Sequence, residues 1–167
     1  PGLDLGLTLT RGLVERYWEQ VYPNLDPEDD NDPTIRVNIL LDLCSQESML
    51  HALRSTPLVR SRMLGPLSYR DIEIAEGRAS APADTKPLDA AAIHGVFMDC
   101  DLEELQASTA AAAGALERVN GLSDALAERI RLDQMPSFDP LSGLLAAIAR
   151  SLGTYLAERL PQASATG

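Results

Sequence analysis

Apolar residues return mostly every three or four positions near the start of the chain, at Leu3, Leu7, Leu9, Leu13, Val14, Tyr17, Trp18 and Val21. That spacing predicts an amphipathic helix over 3–21 with one inward face. Pro23 ends it, because a proline drives the residue before it out of the helical region. Asp32-Pro33 then predicts a helix start: an N-cap carboxylate, followed by a residue whose missing N–H costs nothing at the first helical position. Ile35, Val37, Ile39, Leu40 and Leu43 carry its apolar positions to about Cys44. Ser45 is placed to cap a short helix over 46–54, with Met49, Leu50 and Leu53 inward and Glu47 at the favourable end of the dipole. Thr56-Pro57 stops it.

Residues 57–78 show no long helical period, and the alternation of Ile72 and Ile74 with Asp71 and Glu73 predicts a short extended piece or an irregular loop. Residues 79–87, ASAPADTKP, read as a linker or long loop. Beyond it the chain is strongly helical. One helix is expected over 88–98, opening at Asp89, with Ala92, Ile93, Val96 and Phe97 inward. A longer one starts near Asp101 and runs until Pro136. Its inward positions are Leu102, Leu105, Thr109, Ala112, Leu116, Val119, Ser123, Leu126 and Ile130, a heptad-like stripe thinned by small residues. Gly121 inside it is expected to mark a bend. Asp139-Pro140 repeats the cap-and-proline device and starts a last helix to about Arg159, with Leu141, Leu145, Ile148, Leu152, Tyr155 and Leu156 inward. The fold class is therefore all-α: a helical bundle or array with long irregular loops, ending in an antiparallel α-hairpin. The expected organisation is a first segment over 1–78, a linker over 79–87, a helical region over 88–160 and a frayed tail over 161–167.

Composition narrows the function classes. Of 167 residues 45% are hydrophobic, as in folded globular chains, whereas aromatics make up only 4%, which favours aliphatic helix packing over a β-sandwich. The net charge of −11 repels phosphate, so neither nucleic acid nor insertion into a membrane is expected. Two cysteines, Cys44 and Cys100, build no disulfide framework and read as reduced core thiols. The expected location is the cytoplasm. The first residue is proline, already inside the apolar pattern, and the chain is expected to be part of a longer one.

Chemistry is sought first in YPNLDPEDDNDP, residues 22–33, with three prolines and five acidic side chains. A helix–loop–helix calcium loop needs oxygen ligands at alternate positions, glycine at the sixth and a bidentate Glu at the twelfth. Counted from Asp26, Glu28 and Asp30 fit, but Asn31 stands sixth and Val37 twelfth. Divalent-cation binding through residues 26–32 is thus the alternative reading. The preferred one is a structural turn: Asp32 caps the next helix, Asp29 and Asp30 lie near its positive end, and Arg36 pairs with one of them. Arg60, Arg62 and Arg70, near Tyr69, form a local basic patch suited to clamp that loop or to meet a partner. Cys44, His51, His94 and Cys100 have no paired zinc-ligand spacing, and no nucleophile elbow, phosphate loop, dinucleotide glycine fingerprint or HExxH is present. No enzyme activity and no cofactor are expected.

One block of residues carries a family resemblance: Gly12, Leu13, Trp18, Tyr22-Pro23, Leu25-Asp26, Asp29-Asp30-Asn31-Asp32-Pro33, Arg36, Pro57-Leu58, Gly65, Ser68 and Arg70-Asp71, continuing to Arg78. In order and spacing it resembles the ImpA-type N-terminal domain of TssA proteins of bacterial type VI secretion systems. The resemblance implies a non-enzymatic assembly component in the cytoplasm that contacts the baseplate and the contractile tail tube and sheath. The heptad-like stripe also allows self-association. The candidate structural or partner-binding residues are Trp18, Tyr22, Pro23, Asp26, Asp29, Asp30, Asn31, Asp32, Arg36, Arg60, Arg62, Arg70 and Asp71.

Overall fold

In the computed structural model, which describes residues 2–83 and 86–164, the chain is mostly helical with one small antiparallel sheet. The helices are α1 (Gly2–Tyr17), α2 (Thr34–Leu41), α3 (Met49–Ser55), α4 (Tyr69–Ala75), α5 (Ala90–Asp99), α6 (Leu102–Ala127) and α7 (Asp139–Ser164); the strands are β1 (Pro57–Ser61) and β2 (Gly65–Ser68). Two compact units are built from interleaved segments. The first takes Pro1–Leu50 and Ala111–Ala146, the second His51–Ala110 and Ala147–Gly167. No helix among the described residues is long and apolar enough to cross a membrane.

In the first unit α1 carries two apolar stripes where the periodicity predicts one. Leu7, Val14 and Trp18 are buried, whereas Leu5, Leu9, Leu13 and Tyr17, at strict four-residue steps, are exposed. The same split occurs in α2, where Val37 is buried and Ile35 and Ile39 are exposed. The reason is stoichiometric: a short helix in a small unit has core on one side only. The part of α6 in this unit buries Ala112, Ala115, Val119, Leu122, Ala125 and Leu126. At Gly121 a Cβ would stand 2.2 Å from Nη1 of Arg11, so a side chain there would displace the guanidinium. Arg11 is held by Glu15 at 2.6 Å. A turn further back along α6, Arg118 reaches Oγ1 of Thr8 (3.0 Å) and the Asp4 carboxylate (3.7 Å).

Several helix ends differ from expectation, among them α1, which ends at Tyr17 and not at 21, and α3, which begins at Met49 and not at 46. α6 stops at Ala127, well before Pro136, and a 3-10 turn at Leu132–Gln134 follows. At the start of α7, Asp139 lies inside the first turn. The Phe138 carbonyl accepts from Leu141 N and Ser142 N, and Ser137 Oγ accepts from Asp139 N at 3.3 Å. The carboxylate therefore acts on the helix dipole and is not the cap.

In the second unit the all-α expectation gives way to a hairpin. β1 and β2 pair with Val59 opposite Leu67 and Ser61 opposite Gly65, with an irregularity between Pro57 and Val59. Val59 and Leu67 are fully buried. The strands are too short for alternation to show, and Pro57 and Pro66 hide them further. Gly65 holds φ +86°, which a side chain would strain. Side chains from helices occupy the hairpin's free backbone groups. Glu104 accepts from Arg60 N (3.1 Å), Asp99 from Arg62 N (3.1 Å), and Ser108 Oγ donates to the Leu58 carbonyl (2.5 Å). An edge covered in this way cannot recruit another strand.

Residues 71–74, expected to be extended or irregular, belong to α4. A reciprocal capping box decides this: Asp71 N donates to Ser68 Oγ, and Ser68 N donates to the Asp71 carboxylate at 2.8 Å. Two satisfied orphan donors outweigh four residues of alternating polarity. Behind the hairpin α5 buries Ile93, Val96 and Phe97 and is capped by Asp89, which accepts from Ala92 N at 2.8 Å. Among the described linker positions, 79–83 and 86–87, there is neither helix nor strand; residues 84 and 85 lie outside the described ones. The tail expected to fray at 161 continues as helix to Ser164, and residues 165–167 lie outside the described part.

Candidate functional site

The acidic stretch and its flanks form one construction in the first unit. After Tyr17 the helix closes with Gln20 N and Val21 N both donating to the Tyr17 carbonyl, which leaves the next carbonyls without helical partners. Arg36, one turn into α2, supplies them. Its guanidinium donates to the carbonyls of Pro23 (2.7 Å), Val21 (2.5 Å) and Trp18. It also lies over the Trp18 ring, 4.7 Å from the centroid. Arg36 is only 4% exposed and Trp18 6%. The ion pair expected between Arg36 and Asp29 or Asp30 is therefore not made; the fork geometry of arginine is spent on carbonyls and a ring. Burial lowers the Arg36 pKa and the nearby Glu19 opposes this. Tyr22, joined to Pro23 by a cis peptide bond, is 85% exposed.

The acids that follow satisfy the loop's own backbone. Asp26 caps a 3-10 turn at Pro27–Asp29, accepting from Glu28 N at 2.9 Å, and its carbonyl takes Asp29 N and Asn31 N. Asp30 and Asn31 both sit in the left-handed region, φ 52° and 55°, which Asp and Asn tolerate best after glycine. Asp32 Oδ1 accepts from Thr34 N (3.2 Å), Thr34 Oγ1 (2.8 Å) and Gln134 Nε2 (3.0 Å). Asp32, expected to cap α2 with Pro33 inside the helix, instead precedes the observed N-cap: Pro33 stands at that position without a side-chain cap hydrogen bond, and α2 begins at Thr34. Among the described residues no three His, Cys, Asp or Glu side chains come together to hold a metal ion, so the divalent-cation alternative has no support.

The arginines that stand with this loop are not those predicted. Arg129 and Arg131, with Gln134, line a cleft of about 380 Å³ together with Asp29, Asp30, Asn31 and Asp32. Arg129 donates to the Glu15 carbonyl (2.7 Å) and Arg131 pairs with Asp133 (3.1 Å). Of the predicted patch, Arg60 and Arg62 offer their backbone N–H groups to Glu104 and Asp99, Arg70 is half-buried, and Asp71 belongs to the capping box of α4. All four lie in the second unit. The cations that the sequence reading passed over there are Arg78 and Arg159. Arg78 pairs with Glu73 (3.3 Å) and Glu76 and covers the Tyr69 ring. Arg159 Nη1 donates to the carbonyls of Phe97 (3.1 Å) and Cys100 (2.6 Å).

The reactive side chains are dispersed. Cys100 is buried, donates to the Phe97 carbonyl, and burial raises its pKa above the ordinary thiol value. Cys44 is half-buried, 3.8 Å from the Ser137 carbonyl. His94 is exposed and meets Glu158 at 2.9 Å.

An apolar groove lies between α1 and α2. With a volume of about 320 Å³, it is lined by Leu13, Trp18, Tyr22, Ile39, Leu40 and Leu43 among others. Arg36 is the one charged residue in its wall among the described residues, and it donates to three backbone carbonyls.

Fold and site define a mostly helical domain with an arginine-clamped acidic turn beside an apolar groove. Residues 1–45 match a family model described as ImpA, N-terminal, type VI secretion system. The chain is 38% identical over 154 residues, 92% of its length, to the type VI secretion system component TssA1 of Pseudomonas aeruginosa. It is also similar, with a TM-score of 0.76 and 21% identity over 95% of the chain, to the solved N-terminal domain, including the conserved ImpA_N region, of the TssA component from Burkholderia cenocepacia. The chain spans 44% of the length of the first relative and 65% of the second. Together these matches make the chain similar to the N-terminal region of type VI secretion TssA components, with the ImpA N-terminal model matched over residues 1–45.

Proposed function

We propose that this chain is a non-enzymatic assembly module of a type VI secretion system that acts in the cytoplasm and docks baseplate and tail tube or sheath subunits. The observation that carries the reading is the 38% identity to a type VI secretion component across 92% of the chain. Two features support it. The side chains with reactive chemistry are scattered, while the first unit presents an apolar groove and an exposed acidic turn, the makings of a protein-binding surface. Of the residues singled out in the sequence, Trp18, Pro23, Asp32 and Arg36 build the turn, while Tyr22, Asp26, Asp29, Asp30 and Asn31 are placed to meet a partner.

The test is a pull-down with the purified chain against separately purified baseplate, tube and sheath proteins of the same bacterium. Retention of at least one is expected. Retention of none would overturn the docking reading.

A further inference from the structure

Resting on that docking reading, we propose that the groove between α1 and α2 receives an amphipathic helix of a partner protein, its apolar ridge flanked by lysines and arginines. Ile35, exposed and one turn before Ile39 on α2, extends the apolar face of that wall beyond the cavity. Side chains at four-residue steps on both walls match the anchor spacing by which a helix is held in a groove. The one charged wall residue among the described residues, Arg36, is buried and directs three of its donors to backbone carbonyls, away from an incoming anion.

Charge picks the occupant. Residues 1–50 hold ten acidic and three basic side chains. Glu19 acts on Arg36 electrostatically, the exposed acids of 26–32 follow directly on Tyr22-Pro23 in the groove wall, and Asp42 lies between Leu41 and Leu43. A second copy would bring the same excess of negative charge to the contact, whereas a basic partner gains from it.

Trp18 is the chain's one tryptophan and lines the groove, so its emission reports occupancy. The probe is a Leu/Lys peptide of ~18 residues, about five helical turns, with one apolar face. A saturable change in Trp18 emission is expected, weakened about tenfold by raising the salt from ~0.05 to ~0.5 M. A Leu/Glu peptide with the same apolar face should leave the emission unchanged. The deciding variant is Ile39→Asp, at an exposed position, with its fold checked by circular dichroism. Attraction to the acidic surface alone would tighten with the added carboxylate, whereas occupancy of the groove weakens about tenfold or more.

No response to the Leu/Lys peptide, equal responses to the two peptides, or undiminished binding by Ile39→Asp would each overturn the proposal. So would self-association abolished by Ile39→Asp, which would assign the groove to a second copy. Carried into the pull-down, Ile39→Asp separates the two readings. A subunit that holds the variant as strongly as the parent leaves the docking role standing and removes the groove from it.

Discussion

The corner where α1 meets α2 and the corner where the hairpin meets α5 solve one problem alike and another differently. In both, an arginine distant in sequence takes up the carbonyls that a helix end leaves free. Arg36 does so for Trp18, Val21 and Pro23 after α1, and Arg159 for Phe97 and Cys100 after α5. The difference is in the apolar residues. Around the hairpin Val59, Leu67, Ile93, Val96 and Phe97 are all buried, with Met63 and Leu64 left at the turn. On α1 and α2 the inner stripe is buried, yet Leu5, Leu9, Tyr17, Ile35 and Ile39 face water. Folding has taken what it needs from those helices, and the remaining apolar surface is free for another contact.

If that division is right, the largest loss comes from removing the clamp. Arg36→Ala should cost about 3 kcal/mol, because carbonyls at the end of α1 lose their partner and the Trp18 ring loses its cover. Arg36→Lys should recover less than half of this, since a point charge cannot donate to three carbonyls in a fork. Urea unfolding at neutral pH measures both. A lysine variant as stable as the parent would reduce Arg36 to a charge.

Arg159→Met is the matched test in the other corner, with an expected cost of about 2 kcal/mol because the site is only partly buried and two carbonyls are involved. Its second readout is chemical. Arg159 also lies 3.4 Å from Cys100 Sγ, so alkylation of Cys100 should slow relative to Cys44, the loss of a neighbouring cation raising the thiol pKa further. Faster alkylation with unchanged stability would mean that Arg159 merely shields the thiol.

A smaller effect belongs to the hairpin turn. The Asp99 carboxylate accepts from Ser61 Oγ (2.5 Å) and Arg62 N, and these bonds, that of Ser61 first, hold its pKa below the ordinary carboxylate value. A depressed carboxylate contributes stability that is complete above its unfolded pKa and lost as the pH falls through the folded one. At neutral pH the profile should be flat; below about pH 4 the melting temperature should fall less steeply in Asp99→Asn than in the parent. Parallel acid limbs in the two proteins would show that Asp99 is not part of this dependence.

The sequence disclosed what local chemistry decides. Leu105, Ala112, Val119 and Leu126, one heptad apart, are buried in α6, and Asp89 opens α5 as its cap. It hid what depends on long-range partners. The hairpin stands on Asp99, Glu104 and Ser108, residues 37 to 50 positions away, and Arg36 serves carbonyls 13 to 18 positions before it. No period announces either. Two misses were avoidable. Ser68-Tyr69-Arg70-Asp71 is a capping-box signature that outranks the alternation read at 71–74. Leu5, Leu9, Leu13 and Tyr17 form a stripe of their own on a side of α1 other than that of buried Leu7 and Val14, and reading Leu9, Leu13 and Tyr17 as part of one inward face merged the two.

The exposed face of α2 supplies the smallest and most discriminating expectation. Ile39 is 53% exposed at the rim of the groove, and replacing it with serine removes little buried surface. Ile39→Ser should therefore shift the unfolding free energy by less than about 0.5 kcal/mol, the range of surface substitutions remote from special features. Val37→Ser, two residues back and 8% exposed, should cost several times more, since it buries a hydroxyl and leaves a void. Side-by-side urea melts decide the matter. Equal losses would mean that both faces of α2 stabilise the domain, and the contrast between its two corners would then dissolve; unequal losses leave the outer face idle in the isolated fold and free to bind.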